Sequence, residues 1–403
     1  MIPPQEATEI IFNHLFTFPA ETIELSQAHG RVLQEDVQAD RDFPPFDRVT
    51  MDGIAYDFDD LKGDQPELVI EDMQLAGEPK KTLTQAGHCL EAMTGAVLPE
   101  GTNTVTPYED IDVQERDGKK VAVIQKMPAQ KGLNVHDQGF DRQKSEVLIT
   151  KGTLLSPSQI AVAASVGKAQ IKVTQAPKAT IVSTGDELVK VDEEPKPYQI
   201  RQSNNYAIRA ALANFRVSAD FFHLPDSLEK TTAGLADIME KYPIVILSGG
   251  VSRGKRDYVP DALEALGVQK LFHRVKQRPA KPFWFGVKEK QNAVFALPGN
   301  PVSTFLCFHR YLQPWLEKSL GLADRPTQWA TLNDHVKFAP ELTYFLQVLA
   351  HSDKSGQFSA TPIEGHGSGD FANLLRCNGF IELPADRSHF RQGEVFPFIP
   401  FVR

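Results

Sequence analysis

The sequence predicts a multidomain protein of the α/β plus β class, and three observations support this prediction. Residues 177–320 alternate apolar strands with helices, which is typical of a parallel sheet covered by helices. Residues 56–135 and 321–403 contain short strands separated by turn residues, as small β domains do. The chain has 403 residues, more than one ordinary hydrophobic core accommodates, so two to four domains are expected.

Composition and charge exclude several classes of protein. With 41% apolar and 24% charged residues, the chain is expected to be soluble and globular. The net charge of -9 argues against general nucleic-acid binding, and an anionic ligand would need local cations or a divalent metal. No apolar run reaches membrane-spanning length and no signal segment is visible, so no membrane association is expected. The scattered cysteines Cys89, Cys307 and Cys377 favour a reducing cytoplasm.

The N-terminal part is predicted to contain a helix, an irregular loop and a hairpin. Helical spacing over residues 5–16 places four apolar residues on one stripe, namely Ala7, Ile10, Ile11 and Leu15. The segment 42–55 contains Pro44, Pro45 and Gly53, so it is irregular; Asp47 and Asp52 are ordinary turn residues or functional ones. Asp117-Gly118 predicts a hairpin between strands Thr104–Asp112 and Lys119–Gln125.

The next segment has clear helix signals. Ser156 as N-cap, Pro157 at the first position and Gly167 at the end predict a helix. A strand at Ala169–Val173 then leads into the α/β region.

Within the α/β region, three of the predicted strands end in glycine-bearing loops. The predicted strands are Ala179–Ser183, Val217–His223, the apolar run that begins at Ile244, and Ala293–Leu297. The predicted helices cover Ser203–Phe215, a segment capped by Asp226, and Pro260 to Gly267, with a further apolar helix after Ser303. The loops are Thr184-Gly-Asp-Glu187, Ser248-Gly-Gly250 and Pro298-Gly-Asn-Pro-Val-Ser303. Because the carboxyl ends of parallel strands share one sheet edge, a ligand cleft is expected there.

The loop after the strand at Ile244 has the composition of an anion site. Gly249, Gly250 and Gly254 leave backbone N–H groups bare, and Ser248 and Ser252 add hydroxyl donors. The spacing is not that of a P-loop. Taken alone, the stretch is equally compatible with a plain strand-to-helix turn.

The C-terminal region is predicted to be a small β domain that forms a partial barrel. Its strands are expected at Tyr344–Ala350, Gln357–Pro362, Phe380–Leu383 and Glu394–Phe401.

Six ordered motifs resemble those of one known family. They are Pro45-Phe-Asp-Arg-Val-Thr-Met-Asp-Gly-Ile-Ala55, Thr94-Gly-Ala-Val-Leu-Pro-Glu-Gly101, Glu109-Asp110, Ser183-Thr-Gly-Asp-Glu-Leu188, Ser248-Gly-Gly-Val-Ser252 with Asp257, and Leu297-Pro-Gly-Asn-Pro-Val-Ser303. The motifs run from Pro45 to Ser303, and the resemblance covers nearly the whole chain. The sequence is therefore identified as similar to the molybdopterin molybdenumtransferases, the bacterial counterparts of the gephyrin E-domain.

The resemblance implies four domains and a reaction. The domains are an elongated, discontinuous one (1–45 and 136–176), an inserted β-rich one (46–135), a three-layer α/β molybdopterin-binding one (177–320) and a C-terminal β-barrel (321–403). The implied enzyme is a cytoplasmic homodimer whose cleft draws on both subunits. It cleaves adenylylated molybdopterin, places molybdenum from molybdate on the dithiolene, and releases AMP, with Mg²⁺ as the expected metal. The molybdopterin adenylyltransferase and apo-molybdoenzymes are its conceivable partners.

The resemblance also implies roles for individual residues. Asp52, Glu187 and Asp257 would be catalytic; Asp52 and Glu187 are expected first as metal ligands, with polarisation of water as the alternative role. The implied substrate-binding residues are Thr94, Asp226, Ser248, Gly249, Gly250, Ser252, Arg278, Lys281, Pro298, Asn300, Pro301, Ser303 and Ser368. Arg278, Lys281 and Ser303 would hold molybdate. Asp226 and Asp257 would accept hydrogen bonds from the pterin, although helix capping explains Asp226 equally well.

Three departures from the family pattern leave alternatives open. Ile54 stands where the family has tyrosine, and Arg278-Pro-Ala-Lys-Pro282 keeps two charges but lacks a glycine, so an altered loop geometry is expected. Two arginines of a terminal-domain strand are absent from Glu341-Leu-Thr-Tyr-Phe-Leu-Gln347, although Ser368 is present. A paralogue that binds the pterin nucleotide, or acts as a scaffold, without turnover is therefore the second hypothesis. Another nucleotide hydrolase is the third.

Overall fold

A computed structural model describes residues 1–251, 257–289 and 291–401. The chain divides into two compact units. The first unit comprises Met1–Glu35, Lys151–Pro157 and Gln170–Arg403, and the second comprises Asp36–Thr150 and Ser158–Ala169. Among the described helices, none has the length and apolar character needed to cross a bilayer.

The first unit contains a six-stranded sheet with helices on both faces. Numbered along the whole chain, its elements up to residue 319 are α1 (Pro4–Phe12), β1 (Ala20–Glu24), β12 (Gln170–Thr174), β13 (Ala179–Thr184), β14 (Leu188–Val189), β15 (Ile200–Arg201), α3 (Asn204–Ala213), β16 (Ala219–Leu224), α4 (Leu228–Met239), β17 (Ile244–Ser248), α5 (Val259–Ala265), β18 (Gln269–His273), β19 (Gln277–Arg278), β20 (Trp284–Lys288), β21 (Asn292–Leu297), α6 (Pro301–Cys307) and α7 (Gln313–Ser319). A π-helical turn, Phe308–Leu312, joins α6 to α7. The strand order is β16-β13-β17-β21-β20-β18.

Alternating side chains of the central strand pack on opposite faces of this sheet. Ile244 and Ile246 belong to one hydrophobic cluster, and Val245 and Leu247 belong to another. Both clusters are closed by helices, so the strand is buried on both faces, as its continuous apolar sequence predicts. The expected three-layer α/β domain is confirmed.

The parallel part of the sheet is confirmed, but its far edge was not predicted. Strands β16, β13, β17 and β21 are mutually parallel where they pair. Strands β20 and β18 extend the sheet in antiparallel fashion. The register places Ser183 beside Ser248, and Ser248 beside Leu297. The three strands therefore end side by side.

The C-terminal part of the first unit is a closed five-stranded barrel. The barrel strands are β22 (Gln328–Leu332), β24 (Thr343–Ser352), β25 (Phe358–Pro362), β26 (Gly379–Leu383) and β28 (Val395–Pro400). A short separate pair is formed by β23 (Val336–Lys337) and β27 (His389–Phe390). The order β24-β25-β22-β28-β26 closes because β26 pairs again with β24. The barrel prediction is confirmed, and closure removes the free edges that a partial barrel would leave. Strand β22 was not predicted.

The second unit is built on another six-stranded sheet. The strands of the whole second unit are β2 (Val37–Gln38), β3 (Arg48–Val49), β4 (Gly53–Tyr56), β5 (Glu67–Gln74), β6 (His88–Ala92), β7 (Thr104–Pro107), β8 (Ile111–Arg116), β9 (Lys119–Ile124), β10 (Val135–His136) and β11 (Val147–Ile149). The sheet order is β7-β4-β6-β5-β9-β8, while β2 pairs with β11 and β3 with β10. The helix α2 spans Pro157–Ser165, as predicted.

Two predicted elements have wrong boundaries. The first helix ends at Phe12, four residues early, and Leu15 is exposed instead of lying on its apolar stripe. The strand expected at Thr104–Asp112 is divided by a 3-10 turn at Tyr108–Asp110, so β7 pairs with β4 while β8 forms the predicted hairpin with β9. That hairpin turns at Asp117 and Gly118, both with positive φ, as its Asp-Gly sequence predicts.

Candidate functional site

Three loops at the carboxyl edge of the parallel strands enclose one cavity of about 360 Å³. They follow β13, β17 and β21, the strands whose ends are aligned in register. The cavity brings together eight of the residues predicted from the sequence: Glu187, Asp226, Ser248, Gly249, Gly250, Asp257, Pro298 and Asn300. The expected convergence of the three loops is therefore present.

The loops approach so closely that one position, Gly250, excludes any side chain. A Cβ on Gly250 would lie 2.7 Å from Val259 Cγ2 and 2.9 Å from Thr184 Oγ1, and its φ is +72°. Gly185 has φ +122°, and a Cβ there would lie 2.5 Å from Glu187 Oε2. Both φ values favour glycine, and at Gly185 the near atoms belong to the flexible end of Glu187 in the same loop. The Glu187 carboxylate accordingly lies directly over the backbone of the first loop.

The charged side chains that line the cavity in the described part of the chain are acidic. Glu187, Asp226 and Asp257 contribute to the wall. Over the described residues, no group of three or more His, Cys, Asp or Glu side chains is arranged to hold a metal. An anionic ligand in this cavity thus requires positive charge from a bound cation or from elsewhere.

Two predictions about individual groups in the cavity need correction. The Gly249 N–H, expected to face an anion, donates to the Leu297 carbonyl at 3.0 Å and continues the sheet pairing instead. Asp226 is not the cap of the following helix, because α4 begins after Ser227. Its backbone N–H donates to Asp186 Oδ1 at 3.4 Å. The helix-capping explanation for Asp226 therefore fails, and its place on the cavity wall remains.

Asn204 is a residue of this site that the sequence analysis missed. It is the first residue of α3, and its amide Nδ2 lies 2.8 Å from Ser248 Oγ and 2.8 Å from the Gly299 carbonyl oxygen. It also lies 3.2 Å from Thr304 Oγ1. The only sequence signal was an asparagine at the predicted helix start, where such residues are common for local reasons.

A loop from the barrel reaches the third of the three loops. Asn300 Nδ2 donates to Ser368 Oγ at 2.8 Å, and the Val302 N–H donates to the Ser368 carbonyl at 3.1 Å. Pro301 begins α6, and Ser303 is buried at 3% exposure on its first turn. The structure thus places Ser368 beside Asn300, whereas Ser303 is enclosed by protein.

The two cations predicted to bind molybdate lie on the segment that enters the cavity through Pro282. Pro282 lines the cavity, while Arg278 and Lys281 are exposed and are not among its lining residues. Arg278 instead faces the Phe338 ring, with 6.0 Å between the guanidinium carbon and the ring centroid. Ala280, which replaces the family's glycine, has φ +68° and so keeps the left-handed conformation that glycine adopts readily.

The positions of the two absent arginines are occupied by residues of the barrel. Leu342 packs against the barrel core. Gln347 Oε1 accepts a hydrogen bond from Asn373 Nδ2 at 3.3 Å. Neither residue carries a charge that could hold an anion.

The second unit holds the remaining predicted carboxylate, Asp52, together with Thr94. The N–H and the hydroxyl of Thr94 donate to the same oxygen, Asp52 Oδ1, at 2.6 and 2.7 Å. The backbone hydrogen bond from Thr94, assisted by its hydroxyl, lowers the pKa of Asp52 below its ordinary value. Thr94 is therefore seen to orient Asp52, a contact that the sequence did not predict.

Ile54 is fully buried in the core of this unit. Ser252 and Gly254, two of the residues predicted to form the anion site, lie outside the described residues.

Comparison with known proteins identifies the family. Models for the MoeA N-terminal region (domain I and II), a probable molybdopterin binding domain and the MoeA C-terminal region (domain IV) match residues 2–167, 180–318 and 330–401. The molybdopterin molybdenumtransferase of Synechocystis is 35% identical over 99% of both chains. That of Haemophilus influenzae is 31% identical over 95% of both.

A solved structure has the same fold over the whole chain. The crystal structure of a molybdopterin biosynthesis MoeA protein from Pyrococcus horikoshii superimposes with a TM-score of 0.81 and 29% identity, covering 100% of both chains. The fold, the order of the motifs and these full-length matches agree: the chain belongs to the molybdopterin molybdenumtransferase family, whose members are transferases of molybdenum cofactor biosynthesis.

Proposed function

We propose that this protein cleaves adenylylated molybdopterin and inserts molybdenum from molybdate into the dithiolene, releasing AMP. The observation that carries the proposal is the convergence of the three loops after β13, β17 and β21 on one cavity lined by Glu187, Ser248 and Asp257. The full-length similarity to molybdopterin molybdenumtransferases supports the same reaction. The non-catalytic paralogue is not favoured.

Phosphate binding is assigned to the loop after β17. The Ser248 hydroxyl accepts a hydrogen bond from Asn204 and keeps its own hydrogen for an acceptor in the cavity. Gly250 lets this loop pack against Val259 and Thr184 and so keeps the loop on the cavity wall. Pro298 and Pro301 shape the neighbouring loop. We assign Ser252 to the same phosphate site on the resemblance alone.

Magnesium binding is assigned to Glu187, with Asp52 as a further ligand. Mg²⁺ keeps several waters and is held by one or two carboxylates together with substrate phosphates, so Glu187 as the one ligand from the cavity wall fits this mode. The acidic wall formed by Glu187, Asp226 and Asp257 repels a phosphate, and a bound cation would offset that repulsion. Bound Mg²⁺ would supply charge neutralisation at the phosphates.

The remaining residues are assigned to the other parts of the substrates. Asp226 and Asp257 accept hydrogen bonds from the pterin's amino and ring N–H groups. Ser368 and Asn300 contribute to the molybdate site, with Arg278 and Lys281 as its positive charges and Ser303 shaping the first turn of α6. Because Leu342 and Gln347 occupy the arginine positions, we expect molybdate to bind more weakly than it would with those arginines present.

A homodimer is part of this proposal. Asp52 and Thr94 belong to the second unit, and the cavity belongs to the first. In the proposed dimer the two subunits jointly supply the cleft. The four-domain division, the cytoplasmic location, and partnership with an adenylyltransferase and apo-molybdoenzymes are proposed on the same resemblance. Light scattering that gives the mass of a single protomer would contradict the dimer.

The test is AMP release by the purified protein with adenylylated molybdopterin, Mg²⁺ and molybdate. Glu187→Ala should lower the rate about 100-fold or more, because it removes a carboxylate that holds the metal. Glu194→Ala, which changes an exposed glutamate further along the same segment, is the matched control and should be unaffected. Equal rates for the wild type and Glu187→Ala would refute the assignment. Release of mononucleotides from ordinary dinucleotides would indicate a general hydrolase instead.

A further inference from the structure

Asn204 connects two of the three loops that form the cavity. Its side chain leaves its own helix and bonds to Ser248 Oγ in the loop after β17 and to the Gly299 carbonyl in the loop after β21. It also contacts Thr304 Oγ1, whose hydroxyl donates to the Pro298 carbonyl. One amide group thus bonds to both loops and to the helix that follows the second of them.

The chemistry of these partners determines which way the amide faces. A backbone carbonyl such as that of Gly299 can only accept a hydrogen bond, so the NH₂ side of Asn204 must face it. The same NH₂ group then donates to Ser248 Oγ. Because that oxygen is occupied as an acceptor of the Asn204 hydrogen, the Ser248 hydroxyl hydrogen points away from Asn204 and remains available as a donor.

We propose that Asn204 is a positioning residue that acts through Ser248: it holds the Ser248 hydroxyl as a donor toward the phosphate of the substrate and fixes the separation of the two loops. The kinetic part of this inference rests on the proposed function. The geometric part rests on contacts within the first unit alone.

The experiment compares Asn204→Ala, Asn204→Asp, Ser248→Ala and the double variant Asn204→Ala/Ser248→Ala. Asp has nearly the shape of Asn but replaces the NH₂ donor with an acceptor, so it opposes both contacts without leaving a cavity. Ser203→Ala is the matched control, because Ser203 precedes α3 and its side chain makes no capping bond. Calorimetry measures affinity for adenylylated molybdopterin without molybdate, and AMP release measures kcat and KM.

The expected result is a loss of affinity of about 10-fold for Asn204→Ala and at least that for Asn204→Asp, as hydrogen bonds to a charged ligand imply. KM should rise more than kcat falls, since the phosphate is bound before and during the reaction. The affinity of the double variant should be within about twofold of that of the weaker-binding single variant, because the effects of residues that act through one another are not additive. Ser203→Ala should match the wild type.

Several outcomes would overturn the inference. Wild-type affinity in both Asn204 variants, or fully additive losses in the double variant, would show that Asn204 does not act through Ser248. A large drop in melting temperature for Asn204→Asp, with normal affinity in the molecules that remain folded, would show a purely structural role. If the wild type binds the pterin nucleotide but releases no AMP, the proposed function fails. The affinities of the Asn204 variants then decide the inference about Asn204. If the wild type does not bind it, both proposals fail.

Discussion

The two places that carry predicted catalytic carboxylates are built in different ways. Around Glu187, three loops from aligned parallel strands meet, and each loop constrains its neighbours through close contacts such as that of Gly250 with Thr184 and Val259. Around Asp52, a single residue of the same unit, Thr94, supplies both hydrogen bonds to one carboxylate oxygen. The first arrangement depends on the topology of a sheet, and the second on one pair of residues.

This difference predicts different sensitivities to mutation. A change in the sheet-edge loops should disturb packing and the cavity together, because the loops share van der Waals contacts. A change at Thr94 should alter the orientation of Asp52 while leaving the core of its unit intact, since Thr94 and Asp52 are both exposed. Three substitutions test this contrast.

The largest effect is expected for Gly250→Ala. The new methyl group would lie 2.7 Å from Val259 Cγ2, and the residue would keep a φ of +72° that alanine rarely adopts. The cost is roughly 2–4 kcal/mol in the free energy of unfolding. The melting temperature should fall by roughly 5–10 °C, and AMP release should be lost.

Gly267→Ala is the matched control for that substitution. Gly267 has a similar φ of +76°, but a Cβ there would meet nothing within 4 Å. Gly267→Ala should therefore lower the free energy of unfolding only by the cost of placing alanine at a positive φ. Equal effects of the two substitutions would mean that the loops do not pack as closely as the structure indicates.

A smaller effect is expected for Thr94→Val. Valine keeps the backbone N–H but loses the hydroxyl that donates to Asp52 Oδ1. The Mg²⁺ concentration for half-maximal activity should rise about tenfold, the size typical when a partner of a metal-binding carboxylate is removed. Thr94→Ser keeps both donors and should behave as the wild type. A serine variant as impaired as the valine variant would show that the methyl group, not the hydrogen bond, matters.

The smallest effect is expected for Ser368→Ala. This change removes the hydroxyl that accepts from Asn300 but keeps the backbone bond to Val302, so the barrel loop stays attached to the α/β domain. Affinity for molybdate, measured by calorimetry, should fall about threefold. Ser368→Thr retains the hydroxyl and is the control. An unchanged affinity in Ser368→Ala would remove the barrel from the proposed molybdate site.

The sequence predicted the elements of the first unit well where their patterns were strong. Strand β17 is a continuous apolar run and was located correctly because a strand buried on both faces has that composition. Strands β18 and β20 were missed because their antiparallel pairing adds them to the sheet edge without the alternation of strand and helix. Asp226 was expected as a helix cap because it precedes a capping-box pattern, but the neighbouring Ser227 takes that position.

The glycines show where local sequence was sufficient. Positive φ at Gly118, Gly249 and Gly250 follows from residue type, since glycine alone adopts it at low cost. The hydrogen-bond partner of the Gly249 N–H could not be predicted from residue type. Its acceptor, the Leu297 carbonyl, is 48 positions away in the sequence and reaches it only through strand pairing.

By itself, the sequence determined the family, the strands and helices with strong patterns, and the identity of the loops that meet at the cavity, since these depend on residue type and short-range spacing. Tertiary structure alone decided which donors remain available, that Asn204 joins two loops, and that Ser303 is enclosed while Ser368 lies beside Asn300. Hydrogen-bond partners are chosen by distance in space, and side chains far apart in the chain become neighbours only when the strands align and the barrel closes.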